Sequence, residues 1–425
     1  MALTRPTPET GAPPEHRHAL AAVVAPRTND PHVPALAPHG WRCVAVTPAS
    51  EPSPAPGADY AAHLSHRGSL FHTAASLSRL GVRAVLPGSA AGTELADRLA
   101  DRLNLPGNDP ATCDLRRDTG WASAALRDAG ITAPHSIRTP RLADALTWAA
   151  STAATDYLLE HPDPAHPHRP HRCTTADDIR SAWDALQHTD DQPLVLREHL
   201  NAPHYRLHTL TRPRSDGAPV HTVTAIWAET HTDDHLLHRA DLIRRHGLLA
   251  RALTLYTRRA LTTLGVQYGP AHATLAFVPD RGPVLLALRT DPDPDHDFTA
   301  QALHQATGHH PAHDTAQLLA TGRHHRVPSP RHVHAVKVAL LPRHDATLEA
   351  SLLSSLTSLP TVAATTELHA HTPLQAGQTA GWLLLLAHDA HAIHEDHQTI
   401  RDLELTGLYR APEGAAAGDA APARP

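Results

Sequence analysis

The residues with the most evident chemical capacity are histidines, 38 of them in a chain of 425. They are densest in HPDPAHPHRPHRC (161–173), which holds four histidines and a cysteine. Imidazole and thiolate are ligands for Zn²⁺, Cu²⁺ or Ni²⁺, and His161, His166, His168, His171 and Cys173 could supply such a set. A good metal site also orients its ligands through a second layer of partners, and a proline-rich surface loop offers none. With histidine this common throughout, the stretch reads first as a solvated loop. Other clusters, HRADLIRRHG (238–247), TGHHPAH (307–313) and GRHHR (322–326), lack the spacing of zincins or deaminases. HDAHAIHEDH (388–397) sets His391, His394 and Glu395 near one helix face, in an order other than HExxH. The chain has no GxSxG, P-loop or GxGxxG motif.

Composition narrows the class. Apolar residues make up 41%, enough for globular cores in two or three domains, while aromatics are only 4%, so those cores rest on Leu, Val, Ile and Ala. The net charge is −6 with acids and bases interspersed, which leaves no basic stripe for nucleic acid. Cys43, Cys113 and Cys173 are far apart and odd in number, as suits a reducing cytoplasm. The N-terminus has no apolar core of a signal peptide, and the longest apolar runs, such as Trp382 to Ala387, are too short to span a bilayer. A cytoplasmic protein is expected. Lys337 is the only lysine, within an Ala/Pro/Arg/His-rich vocabulary of the kind a GC-rich bacterial genome encodes.

The elements alternate in a way that implies an α/β fold. WRCVAVTP (41–48) reads as a strand, SLFHTAASLSRLG (69–81) as a helix closed by glycine, VRAVLPGS (82–89) as a strand, and ELADRLADRLNL (94–105) as a helix. This punctuation predicts a parallel sheet, and its PGSAAG loop (87–92) lies where such sheets place ligands. Helices follow near 118–129, 140–150 and 175–186, with a strand at 156–160. Strands are expected at 193–200, 204–212, 219–230, 272–279, 283–290, 333–341 and 382–388, and helices at 242–264 and 345–358.

Several words in this order resemble the ATP-grasp superfamily, specifically its carboxylate–amine ligases of the amino-acid and dipeptide type. They are VRAVLPGSAAGTELADRLADRLNLPGNDPATCDLRRDTG, VLREHLNAPHYRLHTLT, LTTLGVQYGPAHATLAFVPDRGPVLLALRT and TAGWLLLLAHDAHAIHEDHQTIRDLE, and the likeness covers about residues 35–410. The resemblance implies a Rossmann-like N-terminal domain, a two-part ATP-grasp α+β core and a C-terminal lobe. The corresponding boundaries are a disordered tail at 1–30, a Rossmann-like pre-ATP-grasp domain at 31–117, central and C-terminal ATP-grasp subdomains at 118–192 and 193–330, a C-terminal lobe at 331–410 and a tail at 411–425.

The family activates a carboxylate as an acyl phosphate, which requires lysines and carboxylate-held Mg²⁺ around a triphosphate and a glycine-rich loop over it. At the positions matching those motifs this chain differs. Thr119 stands where the first phosphate lysine is expected, and Glu160 or His161 where the second is. The covering loop is HPDPAHPHRPHRC, without glycine; proline has no N–H to offer a phosphate. The two metal glutamates match Thr274 and Ala287. Glu198 survives where the family contacts adenine or ribose, and His204 replaces the next acid. Arg116, Arg117, Arg169, Arg172 and Arg289 are candidate substitutes for the missing cations, and Asp291, opening the acid run DPDPDHD (291–297), for the missing acids.

The expectation is a ligase homologue that has lost its nucleotide site and needs no cofactor. It would act as a pseudoenzyme, a partner of an active ATP-grasp ligase, a homodimer, or a binder of a small amino-acid-like molecule in bacterial specialised metabolism. The alternative is an active ligase using ATP and Mg²⁺ to form an amide bond. A weaker third reading is an ATP-independent enzyme that uses cleft histidines as acid–base groups.

Overall fold

In the computed structural model the described residues are 19–49, 59–186, 191–232, 236–292, 296–323, 333–366 and 368–411. Both expected tails beyond residues 19 and 411, most of GRHHR and the middle of the acid run lie outside them.

A run of Ala and Val with no polar interruption can be buried on both faces only in a covered sheet. ALAAVV forms such a strand, β1 (Ala19–Val24), at the centre of a parallel sheet with β2 (Trp41–Pro48), β3 (Tyr60–His66) and β4 (Val82–Pro87), in the order β3-β2-β1-β4. This corrects the sequence reading, in which residues 1–30 were a disordered tail: the strand was hidden by its Pro- and His-rich flanks. One face packs Ala22, Val24, Val44 and Val46 against α2 (Leu70–Leu80) and α3 (Thr93–Arg102). The other packs Ala21, Val23, Cys43 and Ala45 against α1 (His32–Leu36) and a later helix, Pro311–Thr321. Helix α2 ends as expected at Gly81, in the left-handed conformation (φ +78°), its N–H capping Leu77 and Ser78.

The Leu-Pro-Gly-Asn-Asp turn ties this sheet to the rest. Asn108 Oδ1 accepts from the N–H groups of Gln267 (2.8 Å) and Tyr268 (3.0 Å). Helices α4 (Cys113–Arg117) and α5 (Thr119–Asp128) lead into a four-stranded antiparallel sheet. Its strands are β5 (Ser136–Thr139), β6 (Tyr157–Glu160), β7 (His171–Cys173) and β8 (Leu194–Glu198), in the order β5-β8-β6-β7. Helices α6 (Leu142–Ser151) and α7 (Ala176–Leu186) back it, with Tyr157, Leu159, Cys173, Ile179 and Trp183 in the core between.

The largest sheet is antiparallel. It contains β9 (His204–Pro213), β10 (Pro219–His231), β11 (Leu237–Leu242), β12 (Gly269–Val278), β13 (Gly282–Arg289) and β14 (His334–Leu340). A small pair, β15 (Thr347–Leu348) with β18 (Tyr409–Arg410), stands apart, while β16 (Val362–Thr365) and β17 (Gly381–Ala387) extend the large sheet. Its order is β13-β12-β9-β10-β11-β14-β17-β16, so strands expected in two separate units share one sheet through the β11–β14 pairing. Helix α8 (Leu248–Thr263) starts later than expected because residues 237–242 are strand, fixed by the β10 and β14 ladders. Helices α9 (His296–Thr307), α10 (Pro311–Thr321), α11 (Ala350–Thr357) and α12 (Ala390–Thr406) complete the fold. Among the described residues no helix is long and apolar enough to cross a membrane.

Candidate functional site

A cavity of about 350 Å³ lies between the β6–β8 sheet and the β9, β10, β12 and β13 strands, roofed by residues 161–170. Nine positions singled out from the sequence line it: Thr119, Glu160, His161, His204, Thr274 and Ala287, with His166, His168 and Arg169 from the roof. They come from α5, β6, β9, β12 and β13 and from the roof loop that follows β6.

Glu160 ends β6 and is buried, as is Arg197 on the neighbouring β8. In the ladder Glu160 faces Val195 and Leu158 faces Arg197, so the two charged side chains are diagonal neighbours on one face. They form a fork: Arg197 Nε donates to Glu160 Oε1 at 3.0 Å and Nη2 to Oε2 at 3.2 Å. Thr119 Oγ1 adds a bond to Oε1 at 3.2 Å. The residues at the two expected phosphate-lysine positions thus touch each other, and the cation between them is already engaged by a carboxylate. Thr119 opens α5, yet its N–H is given to Pro162 O at 2.9 Å, and Asp118 caps the next two N–H groups.

On the opposite wall Thr274 and Ala287 face each other across the β12–β13 ladder. Thr274 also pairs in register with Arg206 of β9, whose Nε meets Glu229 at 2.9 Å. His231 Nε2 lies 3.8 Å from the other Glu229 oxygen, and the His204 ring meets His231 edge-on at 4.9 Å. Burial, reinforced by the neighbouring His231, pushes His204 down to about 4. Burial also lowers His231, more than the Glu229 charge raises it. Both imidazoles are therefore neutral near pH 7.

The roof is built by Asp163, which folds the chain back on itself: its Oδ1 accepts from Ala165 N (2.8 Å) and its C=O from His166 N (3.0 Å). This brings the rings of His161, His166 and His168 within 3.6 to 5.7 Å of one another. Two contacts pin the loop. Arg117 meets Asp163 at 3.1 Å, and Arg169 Nη1 donates to Gly377 O at 3.0 Å. The remaining members of the imagined metal set diverge: His171 and Cys173 are on β7, where His171 is exposed and Cys173 is buried in the α6–α7 core. Burial pushes the Cys173 thiol up to about 11. Among the described residues no group of three or more His, Cys, Asp or Glu side chains is arranged to hold a metal ion.

Other sequence candidates fall outside the cavity lining. Glu198 receives a two-pronged bond from Arg281 (2.8 and 3.0 Å) and the N–H of His135 (2.9 Å). Burial acts to raise its pKa, but the Arg281 bonds prevail and hold it below the usual carboxylate range. Arg116 is wholly buried against Asp97 (2.6 Å) and Gly265 O. Arg172 pairs with Asp156 (2.7 Å), and Arg289 with the buried Asp291 (2.6 Å). Of the candidate arginines, Arg169 is the one that lines the cavity. Sequence reasoning missed Arg197, Arg206, Glu229 and His231. Arg197 had a readable signal, a charge directly after the apolar run LVL within a strand word; the other three become neighbours only through β9–β10 pairing.

Comparison with known proteins matches this architecture over most of its length. No family model matches the sequence, and no curated protein matches it. Among solved structures, L-amino acid ligase from Bacillus licheniformis is 14% identical, covering 91% of this chain and 98% of its own, with a TM-score of 0.71. N5-carboxyaminoimidazole synthetase from Staphylococcus aureus, complexed with ADP, is 13% identical over 91% and 97% with a TM-score of 0.64. The Aspergillus clavatus N5-carboxyaminoimidazole synthase, in complex with ADP and 5-aminoimidazole ribonucleotide, is 11% identical over 91% and 99% with a TM-score of 0.67. Three main sheets in this arrangement, with the small β15–β18 pair, and matches spanning both chains make the conclusion a structural one: the protein has the ATP-grasp fold.

Proposed function

We propose that the chain is an ATP-grasp ligase homologue whose cleft no longer takes Mg-ATP and which works by binding. It would be a non-catalytic partner of an active ligase, or a holder of a small amino-acid-like molecule, in bacterial specialised metabolism. The observation behind this reading is the Thr119–Glu160–Arg197 network. A phosphoryl group in transfer needs uncommitted cations and metal-held carboxylates around it. Here the charged lining side chains other than histidine are Glu160, Asp163, Arg169 and Arg197, which balance to zero, and both acids are bonded to arginines. A triphosphate brought to this wall would meet the Glu160 carboxylate, whose neutralising partner is already spent on it. The roof is poor in backbone donors: Pro162, Pro164, Pro167 and Pro170 have no N–H, and Ala165 and His166 give theirs to Asp163. The residues do not fit a Mg²⁺–triphosphate.

An active ligase remains the competing reading, and Arg169 in the lining is what favours it. Thermal unfolding with millimolar Mg-ATP separates the two. Ligand at a hundred times its Kd adds about 2.7 kcal/mol, a shift of several degrees. The expected outcome is no shift and no ADP release with an amino-acid mixture; stabilisation together with ADP release would overturn the proposal.

A further inference from the structure

A second cavity, of about 730 Å³, lies between the parallel sheet and helices α9 and α10, and shares no lining residue with the cleft. Its lining includes Asp30 from the segment after β1, Val33 and Ala37 from the α1 region, Trp41 and Cys43 at the start of β2, and His310 and His313 at the start of α10. Asp30 is the unusual member. It is 4% exposed; Oδ1 accepts from His32 N–H at 2.8 Å, whereas Oδ2 has no hydrogen-bond partner among the described residues. The hydroxyl of Tyr60, packed in the same cluster beside Cys43, is likewise buried and without a hydrogen bond among the described residues. Polar groups left like this cost stability, and a carboxylate costs more than a hydroxyl.

The surroundings indicate what would satisfy the acid. Arg27 is near enough to act on Asp30 electrostatically, but its Nε donates to Gly88 O at 3.2 Å and its Nη2 to Pro292 O. Burial nevertheless raises the Asp30 pKa, so the local cations do not fully compensate the lost hydration. The other charged lining groups, Arg42 and Asp59, face each other at 3.8 Å on the exposed rim and cancel. His310, lowered by burial and by its histidine neighbours to about 4, adds no positive charge. The result is a mostly apolar cavity whose lining side chains carry one net negative charge, on Asp30, a carboxylate that the N–H groups of His32 and Val33 and the nearby Arg27 only partly compensate.

We propose that this cavity binds a small organic cation, an ammonium or amidinium head on an apolar body, with Asp30 as its counter-ion. The head meets Asp30, and the body packs on Val33, Ala37 and Trp41. This site is independent of the state of the nucleotide cleft.

The test is calorimetric titration of the full chain near pH 7.5 with benzylammonium, benzyl alcohol and benzoate, probes of similar shape and different charge. Benzylammonium is expected to bind at least about tenfold more tightly than benzyl alcohol, and benzoate not at all. Asp30→Asn keeps an acceptor for His32 N–H but removes the charge, and is expected to weaken benzylammonium about tenfold or more. Ala37→Trp places bulk at the exposed mouth, away from the core, and is expected to abolish binding. Equal binding of the alcohol, binding of benzoate, no benzylammonium binding, or unchanged affinity in Asp30→Asn would each overturn the proposal. If Asp30→Asn does not fold, Ala37→Trp decides alone, and retained binding there overturns it. None of these outcomes bears on Mg-ATP, whose titration reports on the cleft separately.

Discussion

Glu160 and Arg197 show how one residue type sets the meaning of its neighbour. A lysine at residue 160 and an arginine at 197 would repel each other and hold an anion between them. A glutamate at 160 turns the same arginine inward, into a fork that leaves each side chain about 90% buried. A buried pair of this kind contributes little net stability over an apolar pair, but breaking it leaves an uncompensated charge. Arg197→Met is therefore expected to lose about 3–5 kcal/mol in urea unfolding, and the double variant Glu160→Leu/Arg197→Met to regain most of that. A single-variant loss below about 1 kcal/mol would mean the pair does not hold the cleft together. The family resemblance could mark Glu160 as standing where a phosphate lysine is expected. It could not name its partner, because Arg197 is 37 residues away and reaches it through the β6–β8 register.

At the scale of elements, the PGSAAG loop after β4 changes its reading most. Its position at the end of a parallel strand points to a ligand site, whereas the close approach its glycines make is to β1. Gly88 N donates to Val24 O at 2.7 Å. A Cβ on Gly92 would sit 2.1 Å from the Val24 carbonyl oxygen and 2.8 Å from its carbon. The close packing is between loop and strand end, so backbone would have to move to admit a methyl group. Gly92→Ala is expected to lower stability by about 1–3 kcal/mol in thermal unfolding, with no change in benzylammonium binding at the Asp30 cavity. An unchanged melting temperature would mean that the loop yields freely. The roof segment shows the converse. Its prolines and histidines read as a solvated loop, whereas Asp163 and Arg169 fasten it across the cleft through Arg117 and Gly377.

For the molecule as a whole, the histidine content becomes a statement about pH. His204, His221 and His397 are each lowered by burial to about 4, with neighbouring positive charges adding to the effect. His221 is held between Thr211 (2.8 Å) and Thr262 (3.0 Å). Their folded pKa values lie below the unfolded value of about 6.5, so between pH 6.5 and 4 the unfolded chain binds more protons. The neutral forms cost nothing above 6.5, and stability is lost as pH falls through that window, at up to about 1.4 kcal/mol per unit for each group. Urea unfolding measured from pH 7.5 to 4.5 should show a steep decline below 6.5, and His397→Leu should remove about one proton from its slope. A flat profile would contradict the burial of these rings.

Much of the architecture was legible because it rests on local patterns. Strands β2, β4, β6, β9, β10, β12 and β13 and helices α2, α3, α5 and α7 follow from apolar periodicity and glycine stops, and the family words place the cleft positions in order. The residue types there are a property of the sequence: none of Thr119, Glu160, Thr274 and Ala287 can become a cation, and neither Thr274 nor Ala287 brings a carboxylate, however the chain folds. What only the tertiary structure decided is which charges meet. β1 pairs with strands that start 22 and 63 residues after it, so its flanks could not announce it. Arg197 closing on Glu160, Arg116 sinking against Asp97, and Asp30 left only partly compensated beside a cavity all depend on long-range register and packing. Burial sets the cost of a charge and pairing offsets it, and neither is encoded by neighbours in the chain.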